Sequence, residues 1–173
     1  GHADCIACHQ FDRMARRDVL GPPIPGATFL VNAPFGPQEV WDRLSRRVQR
    51  QIIDKRLRFF VIDATRVARD LGLGPRVNTI LQTCFFALSG VLPREDAIAE
   101  IKKAIDKDYG RKGAAMVRKN FAAVDAALAH MHQVEVPNQV TSRFDRPPVV
   151  AENAPEFVKR VTAQMIAGCG DEI

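Results

Sequence analysis

Two short apolar runs alternate with amphipathic helical patterns, and this alternation restricts the fold more than any other feature of the sequence. The runs occupy residues 27–32 and 59–63, and both contain β-branched and aromatic side chains. Runs that are apolar along their whole length are typical of strands buried on both faces. The chain is therefore predicted to be an α/β protein, a layered α/β/α domain in which helices cover both faces of a mostly parallel sheet.

Turn residues and caps place the remaining elements. Residues 5–8 form a third strand-like run, and residues 21–26 (Gly-Pro-Pro-Ile-Pro-Gly) are expected to be a loop. After Pro37 the apolar spacing predicts a helical pair broken near Ser45, whose hydroxyl suits the cap of the second helix. Further helices are predicted at 65–71, from 77 to about 92, from 93 onward, at 117–131 and at 155–166.

One of these helices allows two kinds of packing. Its apolar residues follow heptad spacing and are Val117, Phe121, Val124, Leu128 and Met131. Heptads sustained over a long run are typical of coiled coils, but this run is short. We therefore expect this helix to lie on the sheet.

Length and composition fit one ordinary globular domain followed by a polar segment. The chain has 173 residues, of which 46% are hydrophobic and 26% charged. No apolar run reaches the ~18 residues that span a bilayer, and no secretory signal is visible at the start. Four cysteines in a chain of this size do not indicate a disulfide framework. We expect a cytoplasmic protein without a membrane segment, and an extended linker at residues 138–153.

The basic charge is concentrated in one part of the chain. The formal net charge is +5, and residues 43–69 hold nine basic and two acidic residues, so the rest of the chain carries −2. Three interpretations remain open: a solvated helix face, a nucleic-acid-binding patch, or a docking face for an acidic partner or a phosphate-bearing ligand. Nucleic acid is the least favoured, because aromatic stacking residues and recognition motifs are absent.

The sharpest local motif is Cys5-Ile6-Ala7-Cys8-His9, which matches the C-x-x-C-H pattern of c-type haem attachment. A small electron carrier is therefore one alternative function. Both cysteines lie in a strand-like run, however, where neither haem attachment nor a redox-active thiol pair is favoured. A zinc site would need the two cysteines beside His130 and His132, whose spacing does not place both on one helix face.

No other motif supplies complete chemistry. The sequence has no G-x-G-x-x-G, no P-loop, no G-x-S-x-G and no cysteine run of the iron–sulfur type. We therefore assign no catalytic residue and no metal ligand.

Five stretches, in order along the chain, resemble one known family. They are residues 3–10 (ADCIACHQ), 26–37 (GATFLVNAPFGP), 48–55 (VQRQIIDK), 76–86 (RVNTILQTCFF) and 89–93 (SGVLP). Together they are similar to the third domain of pyruvate:ferredoxin (flavodoxin) oxidoreductase, the counterpart of the gamma subunit in multisubunit 2-oxoacid oxidoreductases. The resemblance extends over residues 3–137, and residues 145–150 and 163–168 resemble the connector toward a ferredoxin-like domain.

The resemblance implies an organisation and an activity. Residues 1–137 would be the C-terminal part of the gamma-type domain and residues 138–173 the connector, within a much longer polypeptide. The family enzyme oxidatively decarboxylates pyruvate with CoA to acetyl-CoA and CO₂, and passes electrons to ferredoxin or flavodoxin. It is a homodimer whose thiamine diphosphate, Mg²⁺ and [4Fe–4S] clusters are held by other domains. This segment would bind no cofactor itself and would be structural or ligand-flanking.

Three polar residues at the start of an apolar helix are the candidate site residues: Arg76, Asn78 and Gln82. Polar groups set into an apolar helix need partners. The resemblance implies that the partner is a neighbouring domain or the CoA channel; the alternative is that these side chains only bond nearby loops. The basic run at 43–69 is the candidate docking face for acidic ferredoxin, with a free-standing basic interaction module as the other alternative function.

Overall fold

A four-stranded sheet lies at the centre of the protein. The computed structural model describes residues 2–15, 18–21, 23–145 and 150–167. The strands, in spatial order, are β1 (Ala3–Cys8), β2 (Pro23–Asn32), β3 (Arg58–Ile62) and β4 (His132–Gln133). The first three are parallel, and β4 pairs antiparallel with β3. The prediction of a mostly parallel sheet is confirmed.

Helices make up most of the rest of the described chain. They are α1 (Arg46–Asp54), α2 (Ala64–Asp70), α3 (Asn78–Ser89), α4 (Arg94–Tyr109) and α5 (Ala114–His130). Short 3₁₀ turns lie at Phe11–Ala15, Trp41–Arg43 and Gly110–Lys112. A π-helical turn at Val158–Thr162 continues into α6 (Ala163–Ala167). Among these described helices, none combines the length and apolar character needed to cross a bilayer.

Helices cover both faces of the sheet, because side chains alternate along each strand. Phe29 and Phe59 point to one face, stack with ring centroids 5.3 Å apart, and share an apolar cluster with Val48 of α1. Leu30 and Ile62 point to the other face, in a cluster with α2, α3 and α5. Full burial of such side chains contributes about 1.5–3 kcal/mol each. The predicted α/β/α layering is therefore confirmed.

The heptad stripe of α5 faces another helix. Val117 and Val124 pack with Ile105 of α4, whereas Ala123 and Ala127, both fully buried, belong to the cluster that includes the sheet. The helix does pack in the layer on the sheet, as expected, but it does so through these alanines, because α4 covers Val117 and Val124 of the heptad stripe. The small alanines allow α5 to approach α3 closely on its other side.

β2 begins earlier than the sequence predicts. The prolines and glycines of residues 21–26 predict a loop, but β2 already includes residues 23–26. Its first part pairs irregularly, since β1 advances from Ala3 to Cys5 while β2 advances from Pro23 to Thr28. Gly26, at φ +81°, lies inside this bulge in a conformation that favours glycine. The bulge is the physical reason that the strand tolerates its prolines.

The predicted helical pair around Ser45 forms only in its second part. The Ser45 hydroxyl caps α1 as predicted, accepting a hydrogen bond from the Val48 N–H at 3.4 Å. The chain before it is a 3₁₀ turn, Trp41–Arg43, rather than a helix. Trp41 is buried there, and its indole N–H donates to the Thr141 hydroxyl at 3.0 Å. A contact distant in sequence therefore shapes this turn.

Residues 131–144 carry the chain from one layer to the other around the edge of the sheet. Met131 packs in the cluster of α2 and α3, whereas Val134, 3% exposed, packs in the cluster of α1. The Val134 N–H donates to the Phe59 carbonyl at 2.8 Å, which continues the pairing of β4 with β3. The Arg46 N–H, at the start of α1, donates to the Phe144 carbonyl at 2.9 Å. The segment after residue 138 thus begins against α1.

Candidate functional site: two clefts

The three parallel strands end at one edge of the sheet, where the following loops leave a crevice. His9 follows β1, Asn32 ends β2 and Asp63 follows β3. These residues, with Thr65 and Arg69 of α2, line a cavity of about 620 Å³. In open α/β sheets, ligands bind outside the carboxyl ends of the strands. This crevice, which we call the strand-end crevice, is therefore one candidate site.

Asn32 joins the strand ends that form the crevice. Its amide nitrogen donates to the His9 carbonyl at 3.0 Å, and its amide oxygen accepts from the Ala64 N–H at 3.0 Å. Beside it, the Ala33 N–H donates to the Ile62 carbonyl at 3.0 Å. One side chain thus links the chain after β1 to the start of α2 and gives the crevice a fixed floor.

The strand-end crevice carries charges of both signs. Asp63 caps α2 by accepting a hydrogen bond from the Arg66 N–H at 2.9 Å, so a carboxylate already lies at the start of this helix. Arg69 lines the crevice, and Arg66 lines a neighbouring hollow of about 120 Å³ together with His130 and His132. A carboxylate at the helix start disfavours a phosphate there.

The residues predicted from sequence lie elsewhere, beside α3. Asn78 and Gln82, one helical turn apart, both line a groove between α3 and α4, whereas Arg76 precedes the helix and is outside the groove lining. All three are exposed, and none makes a side-chain hydrogen bond to another described residue. The polar side chain that α3 buries is instead Thr83, whose hydroxyl donates to the Thr79 backbone carbonyl at 2.7 Å. The half-buried Thr79 hydroxyl donates in turn to the side-chain amide oxygen of Asn120 at 3.2 Å.

The groove between α3 and α4 has an apolar floor and polar rims. Its volume is about 380 Å³. Phe86, Ile101 and Ile105 lie along its floor, and the carboxylates of Glu100 and Asp108 lie on the α4 side, opposite the amides of α3. No lysine or arginine of the described chain lines it. The groove is therefore suited to apolar groups with hydrogen-bond donors or positive charge at their edges.

The strand β1 places Cys5 and Cys8 on opposite faces of the sheet, because they are three residues apart. Cys8 is buried in the α1 cluster, whereas Ala7, which shares the face of Cys5, packs in the other cluster. Burial raises the pKa of both thiols. The two sulfurs cannot attach to one haem or bind one metal ion, so the interpretation as a haem-bearing electron carrier is wrong.

The described residues do not fit the metal groups that the resemblance implies for the whole enzyme. Cys84 is buried in α3, away from β1, and burial raises its pKa to about 12. Within residues 2–15, 18–21, 23–145 and 150–167, no three His, Cys, Asp or Glu side chains are grouped so as to hold a metal ion. His130 and His132 accordingly have no cysteine partners for a zinc site. We derive no chemical step through a metal or cluster on these residues.

The basic run at 43–69 divides between the two faces of the sheet. Arg46 and Arg50 are exposed on α1, and Arg66 and Arg69 are exposed on α2, which packs on the opposite face. Arg47 is paired with the Asp18 carboxylate at 2.6 Å. The expectation of one continuous docking face is corrected, because β3 separates α1 from α2 along the chain and the two helices cover different layers.

The strand-end residues could have been predicted from the sequence. Asn32 and Asp63 each end an apolar run, and the ends of parallel strands meet at one edge. The α4 residues that line the α3–α4 groove have no comparable sequence signal, because Glu100 and Asp108 resemble any charged residues on an exposed helix face.

The fold resembles that of a known solved structure. The pyruvate oxidoreductase subunit PORC from Thermotoga maritima superposes with a TM-score of 0.60 at 16% identity, over 78% of this chain and 66% of that one. At this level of identity the likeness shows the fold alone. It defines the class of the fold as a layered α/β domain with a mostly parallel sheet.

Sequence comparisons then define the family. A family model described as "Pyruvate ferredoxin/flavodoxin oxidoreductase" matches residues 1–130, and one described as "Domain of unknown function" (EKR) matches residues 143–173. A pyruvate-flavodoxin oxidoreductase of Rhodospirillum rubrum is 52% identical over 99% of this chain. A pyruvate:ferredoxin oxidoreductase of Moorella thermoacetica is 38% identical over 99% of it. The chain belongs to the pyruvate ferredoxin/flavodoxin oxidoreductase family, and it spans about 14–15% of the length of these relatives.

Proposed function

We propose that this chain is one domain of an enzyme that oxidatively decarboxylates pyruvate. In the reaction, pyruvate and CoA give acetyl-CoA and CO₂, and the electrons pass to ferredoxin or flavodoxin. The observation that carries the proposal is 52% identity, over 99% of this chain, to a relative named pyruvate-flavodoxin oxidoreductase. Since the chain spans 14% of that relative, the activity belongs to the longer polypeptide.

Within that enzyme, the chain is a structural and ligand-flanking domain rather than a catalytic one. Residues 1–137 are the gamma-type part and residues 138–173 the connector. Thiamine diphosphate, Mg²⁺ and the [4Fe–4S] clusters belong to other domains of a cytoplasmic homodimer. The scattered cysteines and the lack of a metal-holding group in the described ranges support this division.

The polar residues beside α3 face another component of the enzyme. In this proposal Arg76, Asn78 and Gln82 contact a neighbouring domain or the CoA channel. Their exposure, and the groove that Asn78 and Gln82 line, support such a contact. Exposed amides one helical turn apart can hydrogen-bond a passing backbone or a polar ligand.

The outer face of α1 is the proposed docking face for the electron acceptor. Arg46 and Arg50 are exposed there, four residues apart and thus on one side of the helix. A positive patch steers an acidic partner such as ferredoxin and orients it on contact. We restrict the proposed face to α1, since α2 lies on the other layer.

The test is an assay of the parent polypeptide, isolated under anaerobic conditions and recognised by peptides of this sequence in mass spectrometry. We expect reduction of a viologen dye that requires both pyruvate and CoA, from a chain far longer than 173 residues. Omission of either substrate is the control. A purified parent chain, loaded with its cofactors, that reduces no dye with pyruvate and CoA would overturn the proposal.

A further inference from the structure

The groove between α3 and α4 is flanked by apolar side chains that no described residue covers. Val91 and Leu92, in the turn between the two helices, are 71% and 44% exposed. They follow Gly90, whose φ of +69° ends α3 in a left-handed conformation and directs the chain toward α4. Adjoining exposed apolar side chains beside a groove indicate a surface that meets another protein segment.

The charge of the groove distinguishes the two contacts that the proposed function leaves open, a neighbouring domain and the CoA channel. Its lining contains the carboxylates of Asp108 and of Glu100, which pairs with Lys103 at 3.3 Å, and none of the described residues that line it is a cation. The phosphates of CoA would therefore meet like charge, which is unfavourable across a contact. A protein segment with Lys or Arg beside an apolar stripe would meet complementary charge instead.

The shape of the groove agrees with a helical occupant. Its lining on α4 runs from Ala97 to Tyr109, a distance of about 18 Å at 1.5 Å per residue. A groove between two helices that has an apolar floor is the geometry in which amphipathic helices bind. About three helical turns fit along it, with the amides of Asn78 and Gln82 on one side and the carboxylates on the other.

We propose that the α3–α4 groove holds an amphipathic helix of the same polypeptide, from outside the 173 residues, with Lys or Arg facing Glu100 and Asp108. The proposal rests on the proposed function, which makes this chain one domain of a longer enzyme. The length of the relatives supports it, because about 85% of each lies outside the matched region. Asn78 and Gln82 are then interface residues rather than CoA contacts.

Photo-crosslinking in the full-length enzyme tests the occupant. A benzoylphenylalanine replaces Ala104, which lines the groove, or the control Ala99, which is exposed on α4 outside it. We expect Ala104→benzoylphenylalanine to capture, within one polypeptide, a peptide outside these residues that has apolar spacing and Lys or Arg. The Ala99 variant should give at least tenfold less of this product. Capture of a second copy, or no capture at Ala104, would overturn the proposal.

Steady-state kinetics test the exclusion of CoA. We expect Asn78→Ala and Gln82→Ala in the full-length enzyme to change the KM for CoA less than twofold, while amide exchange in α4 becomes faster. A tenfold rise in the KM for CoA would assign the groove to CoA instead. The activity of the wild-type enzyme with pyruvate distinguishes the two proposals. An active enzyme that gives no crosslink at Ala104 refutes only the helical occupant of the groove. A crosslink in an enzyme that is inactive with pyruvate refutes only the proposed function.

Discussion

The side-chain oxygen of Gln49 accepts hydrogen bonds from the backbone N–H groups of both Thr141 and Ser142, each at 2.9 Å. Gln49 is fully buried, and its amide nitrogen donates to the Trp41 carbonyl at 2.8 Å. A buried amide whose oxygen and nitrogen are both hydrogen-bonded favours one arrangement of its partners, because an unpaired buried polar group costs free energy of folding. This residue therefore holds the chain at Thr141 and Ser142 against α1.

Replacing Gln49 by Leu should release the chain at Thr141 and Ser142 from α1. The shorter, apolar side chain removes the acceptor of two backbone N–H groups, which costs about 1–3 kcal/mol. The Trp41 carbonyl loses one donor and keeps the Leu44 N–H, at 3.1 Å. We expect amide exchange of Thr141 and Ser142 in the full-length enzyme to become at least about tenfold faster, measured by mass spectrometry. Gln38→Leu, at an exposed position, is the control. Unchanged exchange in the Gln49 variant would contradict the role assigned to it.

The two hydrogen bonds of Asn32 can be separated by substitution. Asn32→Asp keeps an acceptor for the Ala64 N–H but loses the donor to the His9 carbonyl, whereas Asn32→Ala loses both. We expect Asn32→Ala to lower the free energy of unfolding by about 1–2 kcal/mol, and Asn32→Asp to retain slow exchange at Ala64 only. Equal exchange at Ala64 in the two variants would show that this bond does not hold α2.

Asp18 should make stability depend on pH in the acid range. Burial alone would raise the pKa of Asp18, but hydrogen bonds from Gln51 and the Arg47 guanidinium outweigh it and lower the pKa. A lowered pKa in the folded state adds stability above the unfolded value of about 4, and this stability is lost as pH falls through the folded pKa. We expect Asp18→Asn to be less stable at pH 7, by about 1 kcal/mol, and the difference from wild type to shrink as the pH falls below about 4, toward the lowered folded-state pKa.

Denaturant titrations of the enzyme at several pH values check this prediction, with Asp12→Asn, an exposed carboxylate, as the control. A difference between Asp18→Asn and wild type that stays constant from pH 7 to pH 3 would argue that the charge of Asp18 is not the cause.

Charge reversal on α1 should weaken binding of the electron acceptor. We expect Arg46→Glu with Arg50→Glu to raise the KM for ferredoxin about tenfold at low salt, with the difference disappearing near 1 M salt, where the Debye length is about 3 Å. The matched control reverses Arg66 and Arg69 on the opposite layer and should change this KM less than twofold. An equal effect of both pairs would remove the case for a face on α1.

Local patterns predict the parts of the fold that depend on neighbours in sequence. The apolar runs predict β3 and the central part of β2. The sequence also predicts Ser45 as the cap of α1, and both predictions are confirmed. β4 could not be predicted, because its two exposed residues are a strand only by pairing with β3. The first residues of β2 carry no local strand signal, because a bulge overrides the preference of Pro and Gly for loops.

The candidate sites are harder to predict from the sequence, because they too depend on contacts between residues that are distant along the chain. Asn78 and Gln82 stand out in the sequence as polar residues in an apolar helix, but the groove that they line depends on how α4 packs beside α3. Gln49 resembles a solvated residue in a basic helix, and only its contact with Thr141 shows otherwise. The division of the arginines between two layers likewise follows from topology rather than from local composition.

The path of the chain from Met131 to Phe144 has a mechanical consequence. A force that pulls on the chain after Phe144 acts first on the hydrogen bonds at Arg46 and Gln49. It acts next on β4, whose residues pair across to β3, and reaches α5 only after these. Tension on the chain after Phe144 therefore loads α1 and then the sheet before it reaches α5.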